Sequence, residues 1–341
     1  MFRIILFVLL SLINLAAKGE VTIFAVGDIM YHKAQLDSAK KGDGFDFSDN
    51  FKHLEKYIKK ADIALANLET TIATDLKFSG YPLFMSPPQV IESIKNAGFS
   101  ILSTANNHSL DGKKAGVEKT VETIKEQGLL NIGSYKDKRS LPLIVEKDGL
   151  KLGFVAYTYG TNGIALKNED SYMVDRLDEE LIKNDFAYLK ERADLIVAFI
   201  HWGDEYQKEP NNYQKSWAKF LAKNGANIII GSHPHVVQGY EIVDGAVVFY
   251  SLGNALSNQR AITSKTKAIE DGLGVFLTIK KDEDGAKIGF EFVDFWVDKR
   301  AKEGKFVYSI MPNEDVLNGS IIGDKTEAKN SRARTYEVLG L

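Results

Sequence analysis

The chain has 341 residues, of which 44% are hydrophobic and 26% are charged, a composition typical of a globular protein with a substantial core. Its formal net charge of -3 does not indicate binding to nucleic acid or to an anionic membrane surface. The absence of cysteine excludes disulfides, thiolate metal sites, a catalytic cysteine and a lipidated N-terminal cysteine.

The N-terminus has the pattern of a secretory signal peptide. Arg3 precedes an apolar stretch over residues 4–15, and small residues follow up to Ala17. The stretch is shorter than the roughly 20 residues that span a bilayer. We therefore expect residues 1–17 to be a signal peptide and the mature protein to be extracytoplasmic, either periplasmic or secreted. Leu15 fits a cleavage after Ala17 poorly, so the alternatives are an uncleaved N-terminal anchor or a buried first helix or strand.

Strand and helix patterns then alternate. Apolar runs bounded by glycine and polar residues predict buried strands, while helical spacing with proline near the start and glycine after the end predicts helices. Such alternation implies parallel strands joined by right-handed crossovers, which is an α/β fold. The predicted strands are 21–26, 62–66, 101–104, 195–200 and 227–230, and the predicted helices are 51–58, 88–97, 117–128, 177–192 and one that begins near Asn212.

From Gly239 onward, short strands and turns replace this pattern. Runs at 240–243 and 246–251 flank Asp244-Gly245, a strong hairpin signal. Further strands are predicted at 272–279 and 290–297. This antiparallel section either completes a second sheet or extends the first. No linker divides the chain, so we expect a single domain over 20–312, followed by a polar, loosely held tail over 313–341.

Residues of the types that bind metals follow five of the predicted strands. Open α/β sheets bind ligands at this place, outside the carboxyl ends of their strands. A lone histidine in such a place is more often a satisfied loop or core residue, but a set of five strand ends argues against that explanation. Nitrogen and oxygen ligands without thiolate suit zinc, manganese, iron or nickel. A carboxylate can bridge two such ions for phosphoryl transfer or hydrolysis. The strand-end groups are 27–28, 67–69, 105–108, 201–206 and 231–235, and they hold four of the six histidines.

Six ordered motifs carry a family resemblance. The chain resembles the poly-gamma-glutamate capsule biosynthesis (CapA-type) family of the calcineurin-like metallophosphoesterase superfamily, over roughly residues 21–256. The resemblance implies two packed mixed β-sheets flanked by helices, with one or two divalent transition metal ions (Mn, Zn or Fe) at one sheet edge. The motifs are Gly27-Asp28-Ile-Met30, Asn67-Leu-Glu69, Ala105-Asn-Asn-His108 with Asp111, His201-Trp-Gly-Asp-Glu-Tyr206, Gly231-Ser-His-Pro-His235 and Tyr250-Ser-Leu-Gly-Asn254.

The resemblance also implies roles for individual residues. His108 corresponds to a general acid or phosphate-oxygen donor, and Asp111 would orient it. Ser251 and Asn254 match positions close to the site, although turn capping explains them as well. The implied ligands are Asp28 and His235 for the first metal, Glu69 as the bridge, and Asn107, His201 and His233 for the second metal.

Three positions depart from the superfamily pattern. Met30 stands where a histidine ligand is usual, and His32 either substitutes for it or has a surface or supporting role. Glu69 replaces the usual bridging aspartate, and Ser232 lies within what is usually Gly-His-x-His. These departures weaken the first metal's ligand set more than the second's.

The resulting hypothesis is an extracytoplasmic metal-dependent hydrolase, a phosphoesterase that acts on a cell-envelope or capsule-related substrate through a metal-bound hydroxide. The alternative, from another class, is a non-hydrolytic metal-containing component of a membrane-bound assembly that synthesises or exports an anionic capsule polymer. A third hypothesis is an amide or ester hydrolase that acts on an envelope polymer. The expected partners are a phosphoester or an anionic envelope polymer, and no nucleic acid.

Overall fold

The structure is a computed structural model that describes residues 19–341 except 76, 264, 284 and 303. The predicted signal peptide, 1–17, lies outside the described residues. Within the described part of the chain, no helix has both the length and the apolar character needed to cross a membrane.

The described residues form strands and helices with the following bounds. The strands are β1 (Gly19–Ile29), β2 (Lys40–Lys41), β3 (Gly44–Phe45), β4 (Ile63–Leu68), β5 (Thr71–Ile72), β6 (Met85–Ser86), β7 (Ile101–Ser103), β8 (Leu130–Ile132), β9 (Leu143–Lys147), β10 (Leu150–Thr158), β11 (Leu195–His201), β12 (Ile228–Ser232), β13 (Tyr240–Val243), β14 (Ala246–Phe249), β15 (Asn254–Leu256), β16 (Asp271–Asp282), β17 (Gly285–Lys302) and β18 (Lys305–Pro312). The helices are α1 (Lys33–Ala39), α2 (Glu55–Ile58), α3 (Gln89–Ala97), α4 (Lys113–Glu126), α5 (Glu179–Lys190), α6 (Asn212–Asn224), α7 (Asn313–Leu317) and α8 (Lys325–Leu339).

Two mixed sheets hold most of the strands, which confirms the predicted fold class. The first sheet has the order β18-β17-β16-β1-β4-β7-β8, and β15 pairs with the end of β1. The second has the order β13-β14-β12-β11-β10-β9. Both alternatives for the second half of the chain occur, because β13 and β14 complete the second sheet while β16 to β18 extend the first.

The sheets pack face to face between two outer layers of helices. One apolar cluster lies between the sheets and contains side chains of β1, β4 and β10 to β12. A second cluster packs α1 to α4 on the outer face of the first sheet, and a third packs α5 and α6 on the outer face of the second. Strands β1, β4 and β7 are parallel, as are β10, β11 and β12. Their carboxyl ends therefore gather polar loops at one edge of each sheet.

Helix ends follow local signals in the sequence. Helix α6 begins with a capping box between Asn211 and Gln214 and ends at Gly225, whose φ of 113° is left-handed. Helix α3 follows Pro88 and ends at Gly98, which has a φ of 107°. These signals explain why the predicted helix boundaries agree with the observed ones to within a few residues.

The expectation of a loosely held tail over 313–341 is wrong. Helices α7 and α8 occupy this segment, and α8 buries Ala328, Ser331 and Leu339 as it packs on β16 and β17. Arg334 donates to both carboxylate oxygens of Asp271, at 2.6 and 2.8 Å. The sequence hides this packing because α8 buries small residues and pairs its arginines with buried carboxylates, so no apolar stripe is present.

Replacing Arg334 by alanine should lower the free energy of unfolding by about 2 kcal/mol, because the buried carboxylate of Asp271 loses its partner. Burial already raises the pKa of Asp271. Urea denaturation measures the change. The matched control is Lys208→Ala, which removes an exposed contact to Glu337 on the same helix and should cost less than about 0.5 kcal/mol. Equal effects of the two substitutions would show that the Asp271 pair does not anchor α8.

Candidate metal centre

Six buried side chains of ligand type meet where the two sheets come together. Three follow or end parallel strands of the first sheet, and three follow or end parallel strands of the second. None of the six is more than 4% exposed. They are Asp28, Glu69 and Asn107 at the ends of β1, β4 and β7, and His201, His233 and His235 at the ends of β11 and β12.

The donor atoms form two groups that share one carboxylate. One ligand atom each from Asp28, Glu69 and His201 lies within 4.8 Å of the others. The same holds for Glu69, His233 and His235. In addition, His235 Nδ1 lies 3.3 Å from Asp28 Oδ2. The resemblance divides the histidines between the two ions differently, but both arrangements give Glu69 the shared position.

Glu69 is buried, and neither of its carboxylate oxygens has a hydrogen-bond partner. Its Oε1 lies 3.7 Å from His201 Nε2 and 3.8 Å from His235 Nε2. Burial, and after it the charge of Asp28, raises the pKa of Glu69 well above the ordinary value. A buried carboxylate without partners is costly. A cation between Glu69 and the imidazoles would remove that cost.

The environment keeps His201 and His233 neutral, which is the form that binds metals. Burial, and after it the nearby histidines, lowers the pKa of both rings well below the ordinary value. His201 Nε2 lies 2.8 Å from Asn107 Oδ1, and its Nδ1 lies 2.8 Å from Ser232 Oγ. Ser232 Oγ can therefore accept a hydrogen bond from Nδ1–H when Nε2 is the ligand atom.

Asn254 sets the tautomer of His235. Its Oδ1 accepts a hydrogen bond from His235 Nδ1 at 3.1 Å, which leaves Nε2 as the nitrogen nearest Glu69. The Asn254 amide donates in turn to the backbone oxygens of His235 and Ile269 and to Gln259 Oε1. Of the two explanations that the sequence leaves open for Asn254, these contacts favour support of the site.

The loop after β12 presents its histidines from a left-handed backbone, with φ of 97° at His233 and 57° at His235. Such values are uncommon for residues other than glycine. Gly231 has no room for a side chain, since a Cβ there would lie 2.0 Å from the carbonyl oxygen of Tyr250. The His233 amide donates to Asp28 Oδ2 at 3.1 Å. Backbone contacts therefore orient the imidazoles.

His108 lies beside the ligand groups without belonging to either. Its Nδ1 donates to Asp111 Oδ2 at 2.7 Å, and both side chains are buried. The same Asp111 oxygen accepts from the Phe84 amide at 2.6 Å. The Phe84 ring packs against the His108 ring with its centroid 4.7 Å away. The pair that the resemblance implies, an aspartate that orients a histidine, is thus present.

His32 belongs to neither ligand group among the described residues. Its Nδ1 accepts a hydrogen bond from the Asn258 amide at 3.1 Å, while its Nε2 is buried without a partner. Met30, at the position where a histidine is usual, is buried in the core. The structure therefore brings the other predicted ligands together and leaves His32 with a different set of contacts.

Sequence reasoning missed Tyr159 and Asn162, which follow β10. The Tyr159 ring lies 4.7 Å from the His233 ring, and Asn162 Oδ1 accepts from Asn107 Nδ2 at 3.2 Å. The signal was available, since the apolar run 152–157 ends in polar residues and Gly160.

Asn67 and Asn106 also received no role from the sequence. Asn67 Nδ2 donates to Asp28 Oδ1 at 2.8 Å, and Asn67 Oδ1 accepts from Asn106 Nδ2 at 3.1 Å. Asn106 Oδ1 accepts from the His108 amide at 3.1 Å. This chain of amides connects the first ligand with the turn that carries His108.

The described side chains fit divalent transition metal ions. Two carboxylates, neutral imidazoles and an amide oxygen form the mixed nitrogen and oxygen donor set that manganese, zinc and iron accept. Glu69 offers two unpartnered oxygens, and His233 offers an unpartnered Nδ1. A carboxylate shared by two ligand groups is what a two-ion centre requires.

Two curated relatives are similar to this chain. It is 27% identical over 263 residues to the capsule biosynthesis protein CapA of Bacillus anthracis, a match that covers 73% of this chain and 63% of that protein. It is 27% identical over 251 residues to the PGA biosynthesis protein CapA of Bacillus subtilis (strain 168), covering 72% and 65%. The match therefore spans slightly less than two thirds of the length of each relative.

Two solved structures share the fold. An NAD nucleotidase (NadN) of Haemophilus influenzae is 15% identical, with a TM-score of 0.50 and coverage of 92% of this chain and 62% of that chain. A proposed 5′-nucleotidase of Staphylococcus aureus is 12% identical, with a TM-score of 0.50 and coverage of 93% and 58%. The fold is therefore the one found in these nucleotidases. A family model described as bacterial capsule synthesis protein PGA_cap matches residues 22–259. The resemblance seen in the motifs is thereby confirmed, and the chain belongs to this CapA-type capsule synthesis family.

Proposed function

We propose that the protein is an extracytoplasmic metal-dependent phosphoesterase that acts on a cell-envelope or capsule-related substrate. The observation that carries the proposal is Glu69, a buried carboxylate with no hydrogen-bond partner that is shared by two groups of ligand atoms. The names of the relatives, which refer to capsule or PGA biosynthesis, support an envelope setting. The signal-peptide pattern over 1–17 supports export.

Divalent ions at this centre would polarise a phosphoryl oxygen and lower the pKa of a water molecule toward neutrality. The protein's part is to hold the ligand side chains in fixed positions. Asn67 and the His233 amide restrain Asp28, and Asn254 restrains His235. The Tyr159 ring packs against one side of His233, with the ring centroids 4.7 Å apart.

His108 would move the proton that the leaving oxygen needs. With Nδ1 bonded to Asp111, its Nε2 is the nitrogen that can give a proton to the departing oxygen. The carboxylate of Asp111 stabilises the protonated ring and fixes its orientation. This division of roles leaves phosphoryl activation to the ligand groups and leaving-group protonation to His108.

A second function is supported by one observation at the first metal's ligand set. Met30 brings a buried thioether to the position where the superfamily has an imidazole ligand, so that set has one nitrogen fewer. A centre with weakened chemistry would suit a non-hydrolytic component that binds an anionic capsule polymer during its synthesis or export.

Metal analysis of the purified protein, followed by turnover of an aryl phosphate with Mn²⁺, Zn²⁺ or Fe²⁺, separates the two functions. We expect about two bound ions and metal-dependent hydrolysis. His201→Ala should remove about one of the two ions and abolish hydrolysis, since His201 belongs to one of the two ligand groups. His53→Ala, on the partly buried histidine near α2, should change neither. A metal-loaded protein that hydrolyses no phosphoester but binds poly-gamma-glutamate would rule out the enzyme and favour the polymer-binding role.

A further inference from the structure

His32 is a buried histidine whose hydrogen bonds determine where its proton lies. Its side chain is 3% exposed, and its Nδ1 accepts a hydrogen bond from the Asn258 backbone amide at 3.1 Å. An amide N–H can only donate, so Nδ1 must carry a lone pair. Burial is the main cause that lowers the pKa of His32, to about 3, and the ring is neutral at physiological pH. A neutral ring with an unprotonated Nδ1 carries its hydrogen on Nε2.

This tautomer does not suit a metal ligand. A ring nitrogen binds a metal through its lone pair, and on His32 the only lone pair is already used by Asn258. Nε2 instead offers an N–H group, which is buried and has no acceptor. Both polar atoms of the Asn258 carboxamide are likewise buried without partners. Such orphaned groups are rare in native structures, and a polar ligand at this place would satisfy them.

The position of His32 connects it with the proposed proton donor. Its ring meets the edge of Phe84, with centroids 5.1 Å apart, and Phe84 meets His108 at 4.7 Å. After burial, the nearby imidazoles of His235 and His108 contribute to the lowered pKa of His32. His32 thus lies close to one ligand-type histidine and to the histidine that would protonate the leaving oxygen.

The backbone around His32 is held in place. The His32 amide donates to Gln35 Oε1 at 2.8 Å, and Gln35 Nε2 donates to the carbonyl oxygen of Met30 at 3.3 Å. Gly80 packs so closely that a Cβ there would lie 2.9 Å from the Cα of His32. With the backbone fixed, turning the ring so that Nδ1 faces an ion would break its hydrogen bond from the Asn258 amide.

We propose that His32 is a substrate-binding residue, whose Nε2–H donates a hydrogen bond to an anionic phosphoryl oxygen beside His108, and that it is not a metal ligand. The inference deepens the proposed phosphoesterase function and rests on it for the identity of the anion. It explains why the histidine absent at Met30 is not simply replaced two residues later: the chain keeps an imidazole at His32 for a different task.

Inorganic phosphate is the probe, and its affinity for the metal-loaded protein is measured by calorimetry next to metal content. His32→Ala should weaken phosphate binding by about 10- to 100-fold, the range expected for a hydrogen bond to a charged group, with bound metal unchanged. His32→Gln keeps a donor and an acceptor and should retain affinity to within several-fold. His53→Ala is the matched histidine control, and thermal melting confirms that each variant is folded.

Three outcomes would overturn the inference. Loss of one metal equivalent in His32→Ala would make His32 a ligand. Unchanged phosphate affinity in that variant would remove its binding role. Long-range proton–nitrogen NMR spectra that place the proton on Nδ1 would contradict the tautomer. The proposed function fails separately, since a wild-type protein that binds phosphate but hydrolyses no phosphoester leaves the binding test of His32 intact.

Discussion

Replacing His108 by alanine is expected to lower phosphoester turnover by a factor of about 10²–10⁴, the usual contribution of a general acid, while the protein keeps its metal and its fold. The reason is that His108 lies outside both ligand groups and has its Nδ1 bonded to Asp111. The measurement is kcat on a series of aryl phosphates. The loss should be smallest for 4-nitrophenyl phosphate, whose leaving group needs least protonation, and largest for phenyl phosphate.

Asp111→Asn is the companion variant for this series. It preserves the shape of the side chain but removes the charge that stabilises a protonated His108. It should therefore lower turnover less than His108→Ala, because the imidazole that carries the proton remains in place. A loss of metal in His108→Ala would instead identify His108 as a ligand. A loss that is the same for every leaving group would remove the general-acid role.

Replacing Glu69 by glutamine is expected to have opposite effects in the metal-loaded and metal-free proteins. In the presence of metal, the variant should lose at least one of about two bound ions, and turnover should fall to background, because Glu69 is shared by both ligand groups. In the absence of metal, the variant should be more stable than wild type at neutral pH, because a buried, unpartnered carboxylate is gone. Elemental analysis and urea denaturation measure the two effects.

The pH dependence of the metal-free protein follows from the raised pKa of Glu69. A folded-state pKa above the unfolded value means that the folded protein holds a proton that the unfolded chain has already lost. This stabilisation is complete below the unfolded-state pKa and is lost as pH rises through the folded-state pKa. The gain in stability from Glu69→Gln should therefore grow as pH rises above 5. Parallel pH–stability curves for the two proteins would contradict the assignment.

The sequence predicts the central strands well because they are buried on both faces. Strands β4, β11 and β12 consist entirely of buried residues, so each appears as a continuous apolar run. The predicted strands do not include β9, whose residues are half-buried or exposed, or β18, which begins with exposed residues at the sheet edge. They also do not include β10, although it is almost entirely buried. Helix α8 shows no apolar stripe in the sequence, because ion pairs such as that between Arg334 and Asp271 take the place of apolar contacts with the sheet.

The ligand set could be anticipated because parallel strands bring their carboxyl ends to a common edge. The supporting residues could not, since their contacts depend on the register between distant segments. Asn254 reaches His235 only because β15 pairs with the end of β1, where Asn254 aligns with Asp28. The contact between His32 and Asn258 joins residues 226 positions apart. No local pattern reveals such a pair.

The ligand-type residues divide evenly between the sheets, with Asp28, Glu69 and Asn107 on one and three histidines on the other. An ion held by Glu69 together with His201 or His235 would therefore link the two sheets to each other. Occupancy and folding then become a single thermodynamically coupled equilibrium, in which a free ion at 100 times its dissociation constant adds about 2.7 kcal/mol to the native state. In a cell compartment that is poor in such ions, both the folded fraction and the active fraction of the protein would therefore be lower.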